Sequence, residues 1–181
     1  MFHLSTHKLI DYWRAHSLDG RSPSRQDIDP GDFAPLAPQV LMAGREASGV
    51  YPIRLVGGFV RELHQRDLRG RNLLSLFRPA DRLGLQAALE MARRKPEPIV
   101  ATVEARAEDA AIDMEILFAP LTGSDGGPDR FLGLYQPLTL VSRLQDRPVG
   151  EFEVRVIRSA GASNESLPRV RLAALDGRRI A

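Results

Sequence analysis

Histidine offers metal ligation and proton transfer near neutral pH, and the chain carries four: His3, His7, His16 and His64. His3 and His7 stand at i, i+4 and would share a helix face, but they sit at a terminus with no third ligand near them in sequence. His16 closes a helical stripe and reads as a helix-end residue beside the terminal carbonyls. His64 falls at the end of a short helix. A haem ligand or a proton switch is one expectation for it, a solvent-edge residue the other, and the edge is the reading adopted. Ser5-x-x-Lys8 matches a serine-nucleophile pattern, yet the S-D-N and K-T-G elements that should accompany it are missing. Asp27 and Asp29 are paired acids whose Asp-Pro context points to helix capping. Arg69, Arg71, Arg78 and Arg82 could hold a carboxylate or phosphate through guanidinium forks, or form a solvated face. The absence of cysteine excludes disulfides, thiolate nucleophiles and cysteine-ligated zinc or iron–sulfur sites. No catalytic set and no metal site is assigned.

These side chains belong to a chain of 181 residues, 43% hydrophobic and 27% charged, which suits one globular domain with terminal extensions. No apolar run reaches membrane-spanning length, and the N-terminus lacks a basic segment followed by an apolar one, so a cytoplasmic protein is expected. The pI of about 9.4 suggests nucleic acid, but the formal charge is only +2. Arginine supplies nearly all the base, lysine occurring only at Lys8 and Lys95. Because arginine titrates so high, a small excess moves the pI far, and nucleic-acid binding is the lesser reading.

The elements follow from periodicity. Leu9, Tyr12, Trp13 and His16 make one stripe on a helix over Ser5–His16. Asp29-Pro30 starts a short helix that Pro35 and Pro38 keep short. Gln39–Arg45 and Tyr51–Val56 form a buried hairpin, followed by short helices at Phe59–His64 and Leu73–Phe77, with a turn at Gly70 between them. Pro79 opens the longest helix, with Leu85, Ala88, Leu89 and Ala92 as its buried stripe and Lys95-Pro96 as its end. Ile99–Arg106 and Ala111–Pro120 alternate with period two, Phe131–Tyr135 supplies a further strand, and Gly133 within it marks a close approach. Glu151–Arg158 is a further strand candidate. The arginine-rich tail after Pro137 reads as a solvated, partly ordered extension or as a hairpin that folds back on the core or docks on a partner.

Strand, strand, helices and then three strands, the Gly70-Arg71-Asn72 turn and the Pro79-started helix together resemble a PAS domain over residues 39–137. Tyr12-Trp13 and Asp27-Ile28-Asp29-Pro30 upstream make the chain similar to small stand-alone bacterial PAS proteins with no attached output domain. The resemblance implies an α+β fold: a five-stranded antiparallel sheet with helices on one face, an N-terminal helical cap over 1–38 and a C-terminal extension over 138–181. It implies a non-enzymatic regulatory role in signal transduction through protein–protein contacts, with a small-ligand sensor as the alternative and a nucleic-acid-associated regulator as the second. The implied ligand hollow is lined by Phe59, Leu63, Leu73, Leu74, Phe77 and Arg71. The implied homodimer or partner surface is Leu9, Tyr12, Trp13 and His16. The Gly70-Arg71-Asn72 turn is also similar to the flavin-binding blue-light subclass, but Leu73 stands where that subclass has its reactive cysteine, so no flavin adduct can form. The haem-binding subclass places its histidine on the long helix, and Pro79–Lys95 has none. No cofactor is therefore expected.

Overall fold

Alternation in the strands builds the architecture. The computed structural model describes residues 1–123 and 126–161. Six strands form one antiparallel sheet: β1 (Val40–Gly44), β2 (Ile53–Val56), β3 (Ile99–Arg106), β4 (Ala111–Leu121), β5 (Arg130–Pro137) and β6 (Glu151–Ser159), in the order β2-β1-β5-β4-β3-β6. The expected sheet had five strands. The sixth pairs along the free edge of β3, from Arg106↔Glu151 to Ile99↔Ser159, which satisfies backbone groups that an open edge would leave unpaired. Parts of the two outer edges are also bonded. Residues 70–73 bond to β2 and to Tyr51 just before it, with Gly70 N–H to Ile53 O at 2.8 Å and Leu73 N–H to Tyr51 O at 2.8 Å. Arg78 N–H reaches Phe152 O at 3.0 Å, and the Asp81 carboxylate accepts from Val154 N–H at 2.9 Å.

One face of the sheet carries α2 (Gly58–His64), a 3-10 turn (Leu73–Leu76) and α3 (Pro79–Arg94). Ala101, Val103, Met114, Ile116 and Phe118 point into this layer and meet the buried side of α3, made of Leu85, Ala88, Leu89 and Ala92. The opposite face carries α1 (Leu4–Ala15) and a kinked 3-10 segment (Pro30–Gln39), in which Pro35 and Pro38 withhold the N–H donors an α-helix needs. Here Leu9, Ile10, Trp13, Ile28 and Phe33 pack on Val40, Met42, Leu117, Leu132 and Leu134. The middle of the sheet is therefore buried on both faces, which explains the continuous apolar run Ile116–Ala119 within an otherwise alternating strand.

Gly133 confirms the expected close approach. A Cβ there would lie 2.8 Å from Leu41 Cγ, its register partner on β1. Asp29 and Asp27 cap as expected: Asp29 Oδ1 accepts from Gly31 N–H at 2.8 Å, and Asp27 forms a capping box with Ser24. Of the arginine-rich tail after Pro137, residues 162–181 lie outside the described residues. Among the described residues, no helix is long and apolar enough to cross a membrane.

Candidate functional site

Between α2, α3 and the sheet lies an aromatic centre. Phe77, at the end of the 3-10 turn, meets Phe118 of β4 and Phe152 of β6, with ring centroids 6.5 and 5.3 Å away. Tyr135 of β5 stands 5.3 Å from Phe152, edge-on. Tyr135, Phe118 and Phe152 are 0% exposed and Phe77 1%. Of the residues expected to line a ligand hollow, Leu63, Leu73, Leu74 and Phe77 come together as buried packing and Phe59 is half-buried beside them. Arg71 does not join them. It is exposed, and its Nε donates to Asp67 O at 3.1 Å.

His64 is not at a solvent edge; it is 1% exposed. Gln65 follows in the left-handed conformation (φ 48°), so the chain leaves α2 and the imidazole stays inside. Nδ1 lies 2.9 Å from Val149 O and Nε2 3.4 Å from Tyr135 Oη. A carbonyl can only accept, which places the proton on Nδ1 and leaves Nε2 facing the tyrosine hydroxyl. Burial pushes the imidazole down to about 4, the hydrogen bond to Val149 opposing it. Burial likewise raises the Tyr135 phenol well above its ordinary range. With one ring nitrogen engaged and the other facing Tyr135, His64 is not placed to ligate a haem. Sequence reasoning missed it because its burial depends on Val149 and Phe152, more than 80 residues away along the chain.

A second polar cluster ties α3 to the first hairpin. Glu90, 8% exposed, receives Arg45 Nε at 2.7 Å, Tyr51 Oη at 2.7 Å and an Arg93 guanidinium nitrogen at 3.2 Å. Those bonds, Arg45 first, hold the Glu90 carboxyl down at about 2 against the opposing effect of burial. Only the i, i+3 spacing of Glu90 and Arg93 was visible in the sequence. Asn72, the motif residue, is a clasp: Oδ1 accepts from Tyr51 and Leu74 N–H at 3.1 and 3.3 Å, and its amide donates to Gly49 O at 2.7 Å.

The stripe expected as a partner surface is divided. Leu9 (0%) and Trp13 (4%) are covered by the chain's own sheet, and the indole N–H donates to Pro120 O at 2.7 Å. The buried face of α1 is Thr6, Leu9, Ile10 and Trp13, rotated from the expected one. Tyr12 and His16 are half-buried, 4.3 Å apart. Tyr12 Oη accepts from Asp29 N–H at 2.9 Å and donates to the Asp32 carboxylate at 3.1 Å, which joins the Tyr-Trp helix to the Asp-Ile-Asp-Pro segment. At the start of α1, the buried Glu115 carboxylate of β4 accepts from Thr6 Oγ1 at 2.7 Å and His3 N–H at 3.0 Å.

The arginines flanking the helical block do not converge. Arg69 pairs with Asp67, Arg78 with Glu153, and Arg82 Nε donates to Phe77 O. Arg69 does share a groove of about 260 Å³ beyond α2, lined also by Arg61, Arg66, Asp67, Val56 and Leu68. Among the described residues, no group of three or more His, Asp or Glu side chains is placed to hold a metal ion.

A PAS domain family model matches residues 1–136, the cap and the first five strands together. The chain belongs to the PAS domain family. No curated protein matches it. Similar solved structures include the Rhodobacter sphaeroides LOV protein, at 18% identity over 65% of this chain and 74% of that one, with a TM-score of 0.45. The dark structure of the blue-light photoreceptor Aureochrome1 LOV is 18% identical over 66% of this chain and 89% of that one (TM-score 0.47). The blue-light activated histidine kinase EL346 of Erythrobacter litoralis is 20% identical over 62% of this chain and 37% of that one (TM-score 0.44). At such identities and TM-scores, no ligand, activity or partner passes from them to this PAS chain. The chain has no cysteine that could form a flavin adduct, and Leu73, Phe77, Phe118 and Phe152 are buried together in the main core.

Proposed function

We propose that this PAS chain is a non-enzymatic regulatory protein of bacterial signal transduction, cytoplasmic and cofactor-free, which acts through protein–protein contacts and forms a homodimer. The observation that supports it most is the packed interior around Phe77, Phe118, Tyr135 and Phe152, each at most 1% exposed, which leaves the surface to make contacts. The contact favoured is with a second copy through α3. Its exposed Ala80, Leu83, Ala87 and Met91 recur at helical spacing, and the small Ala87 at the centre lets two antiparallel helices approach about a twofold axis. Leu83 and Met91 are 54% and 55% exposed, unlike Leu9 and Trp13 on α1. Light scattering on the purified chain should give a dimer mass, and Leu83→Glu with Met91→Glu should give a monomer of unchanged melting temperature. A wild-type chain that is monomeric at micromolar concentration, and that captures no signalling protein from its host, would sink the proposal.

The sensor reading is favoured by one feature. A groove of about 210 Å³ between α2 and residues 141–147 is lined by Phe59, Leu63, Val141 and Leu144 together with Glu62, Gln65, Asp146 and Arg147. A small molecule binding the native state there raises the melting temperature. A metabolite panel that shifts nothing would remove this reading.

A further inference from the structure

Between residues 61 and 71 the chain places four arginines, Arg61, Arg66, Arg69 and Arg71, against two acids, Glu62 and Asp67. Such a run is ordinarily a solvated face. The fold gives this one a definite shape. α2 ends at His64, Gln65 turns left-handed (φ 48°), and the chain brings Arg66 and Arg69 beside Arg61, so that all three line one groove of about 260 Å³ with Asp67, Val56 and Leu68. The three arginines are exposed, whereas Leu68 is 1% exposed and Val56 half-buried, which sets cationic side chains around two aliphatic ones.

The cations are unequally engaged. Arg66 donates one guanidinium nitrogen to Gly150 O at 3.2 Å, and Arg69 pairs with Asp67 at 3.2 Å. Among the described residues, the Arg61 guanidinium has no hydrogen-bond or ion-pair partner. Compensation of the helix dipole accounts for Arg61, which stands in the last turn of α2, but not for Arg66 and Arg69, which lie beyond it. Three guanidinium cations thus face one carboxylate, a local excess of positive charge. The groove on the other side of α2 has the reverse balance, with Glu62 and Asp146 against Arg147. An anion is drawn to the first groove and repelled from the second.

We propose that the groove bounded by Arg61, Arg66 and Arg69 is a binding site for a phosphate dianion, free or carried on a small organic ester. Guanidinium forks meet phosphate oxygens in pairs. A phosphate monoester carries a charge of about −1.5 to −2 near neutral pH, of the sign and size that this groove leaves unmatched. Arg61 and Arg66 keep N–H donors to spare, and Asp67 is the competitor for Arg69. Val56 and Leu68 would meet the carbon part of an ester. The site is separate from the aromatic interior and from the groove of the sensor reading, and depends on neither.

Isothermal titration of the full chain with sodium phosphate and with glycerol 3-phosphate tests this. Each probe should bind saturably at one site, and added sodium chloride should weaken it. Arg61→Gln should weaken binding about fivefold, the loss of a charged hydrogen-bond donor, at an unchanged melting temperature. Asp67→Asn should tighten it. Arg94→Gln is the control, since it removes the same charge from an exposed arginine in the last turn of α3 and should leave binding as it was. Tighter binding of glycerol 3-phosphate than of sodium phosphate assigns the anion to an organic ester, and equal binding assigns it to free phosphate. Absence of saturable binding of either probe at millimolar concentration overturns the proposal. A loss in Arg94→Gln as large as that in Arg61→Gln also overturns it, because the anion would then be responding to the charge of the whole protein and not to this groove.

Discussion

Individual side chains in this protein do structural work that their types alone do not announce. His64 is neutral in the folded state because burial lowers it to about 4 from an ordinary 6.5. The unfolded chain therefore binds the extra proton between those values, and linkage makes stability fall as pH drops from 6.5 to 4, by about 3 kcal/mol for this group. Urea unfolding at a series of pH values should show this slope in the wild type, and His64→Phe should flatten it. A slope unchanged in the variant would mean that the imidazole is not held as described; Val149 O, Tyr135 and Arg66 are the groups that surround or act on it. Glu90 has the opposite sign of charge but the same direction of loss. Its depressed carboxyl contributes stability above 4.5 that disappears as pH falls toward 2. Glu90→Gln should cost about 3 kcal/mol at pH 7, since Arg45 and Arg93 keep their charges in a largely buried place without the carboxylate. Of these residues, His64 was singled out from sequence for its chemistry but given the wrong environment, and Glu90 carried no signal beyond a neighbour three residues on.

At the level of elements, local pattern was a better guide. The stripe of α3, its opening Pro79 and its end at Lys95 follow from periodicity and capping, because a helix face and its termini are set by residues within four positions of one another. β3 and β4 follow for the same reason at period two. Trp13 on α1 tests how the cap is held. Trp13→Phe keeps the ring but leaves Pro120 O without its indole partner, and should lower stability by about 1–2 kcal/mol in urea titration. Gly133→Ala tests the join of β1 and β5. The new methyl would press on Leu41, which is 1% exposed and has little room to retreat, at a cost of about 1–3 kcal/mol. A neutral result would show that Leu41 changes rotamer freely. The direction of α1 was less legible: Leu9, Tyr12, Trp13 and His16 form a valid stripe, but the sheet takes Thr6, Leu9, Ile10 and Trp13, since Tyr12 is drawn aside by Asp29 and Asp32.

The whole molecule is a sheet clad on both sides, and the two layers have separate cores. Trp13→Phe and Glu90→Gln sit in opposite layers with no shared partner, so their costs should add within about 0.5 kcal/mol in the double variant. A larger coupling energy would show that the sheet transmits strain between cap and helices. The sequence by itself determined the PAS order of elements, the chain's lack of thiol chemistry and the capping roles of Asp27 and Asp29. Those properties are written in neighbouring residues or in composition. Only the tertiary structure decided that β6 closes the edge of β3, that Phe152 packs against Phe77, Tyr135 and His64 and that His64 is buried beside Val149. It also decided that Leu9 and Trp13 face the chain's own sheet. Each of these depends on contacts between residues far apart in sequence, where an apolar stripe states that it must be buried but not against what.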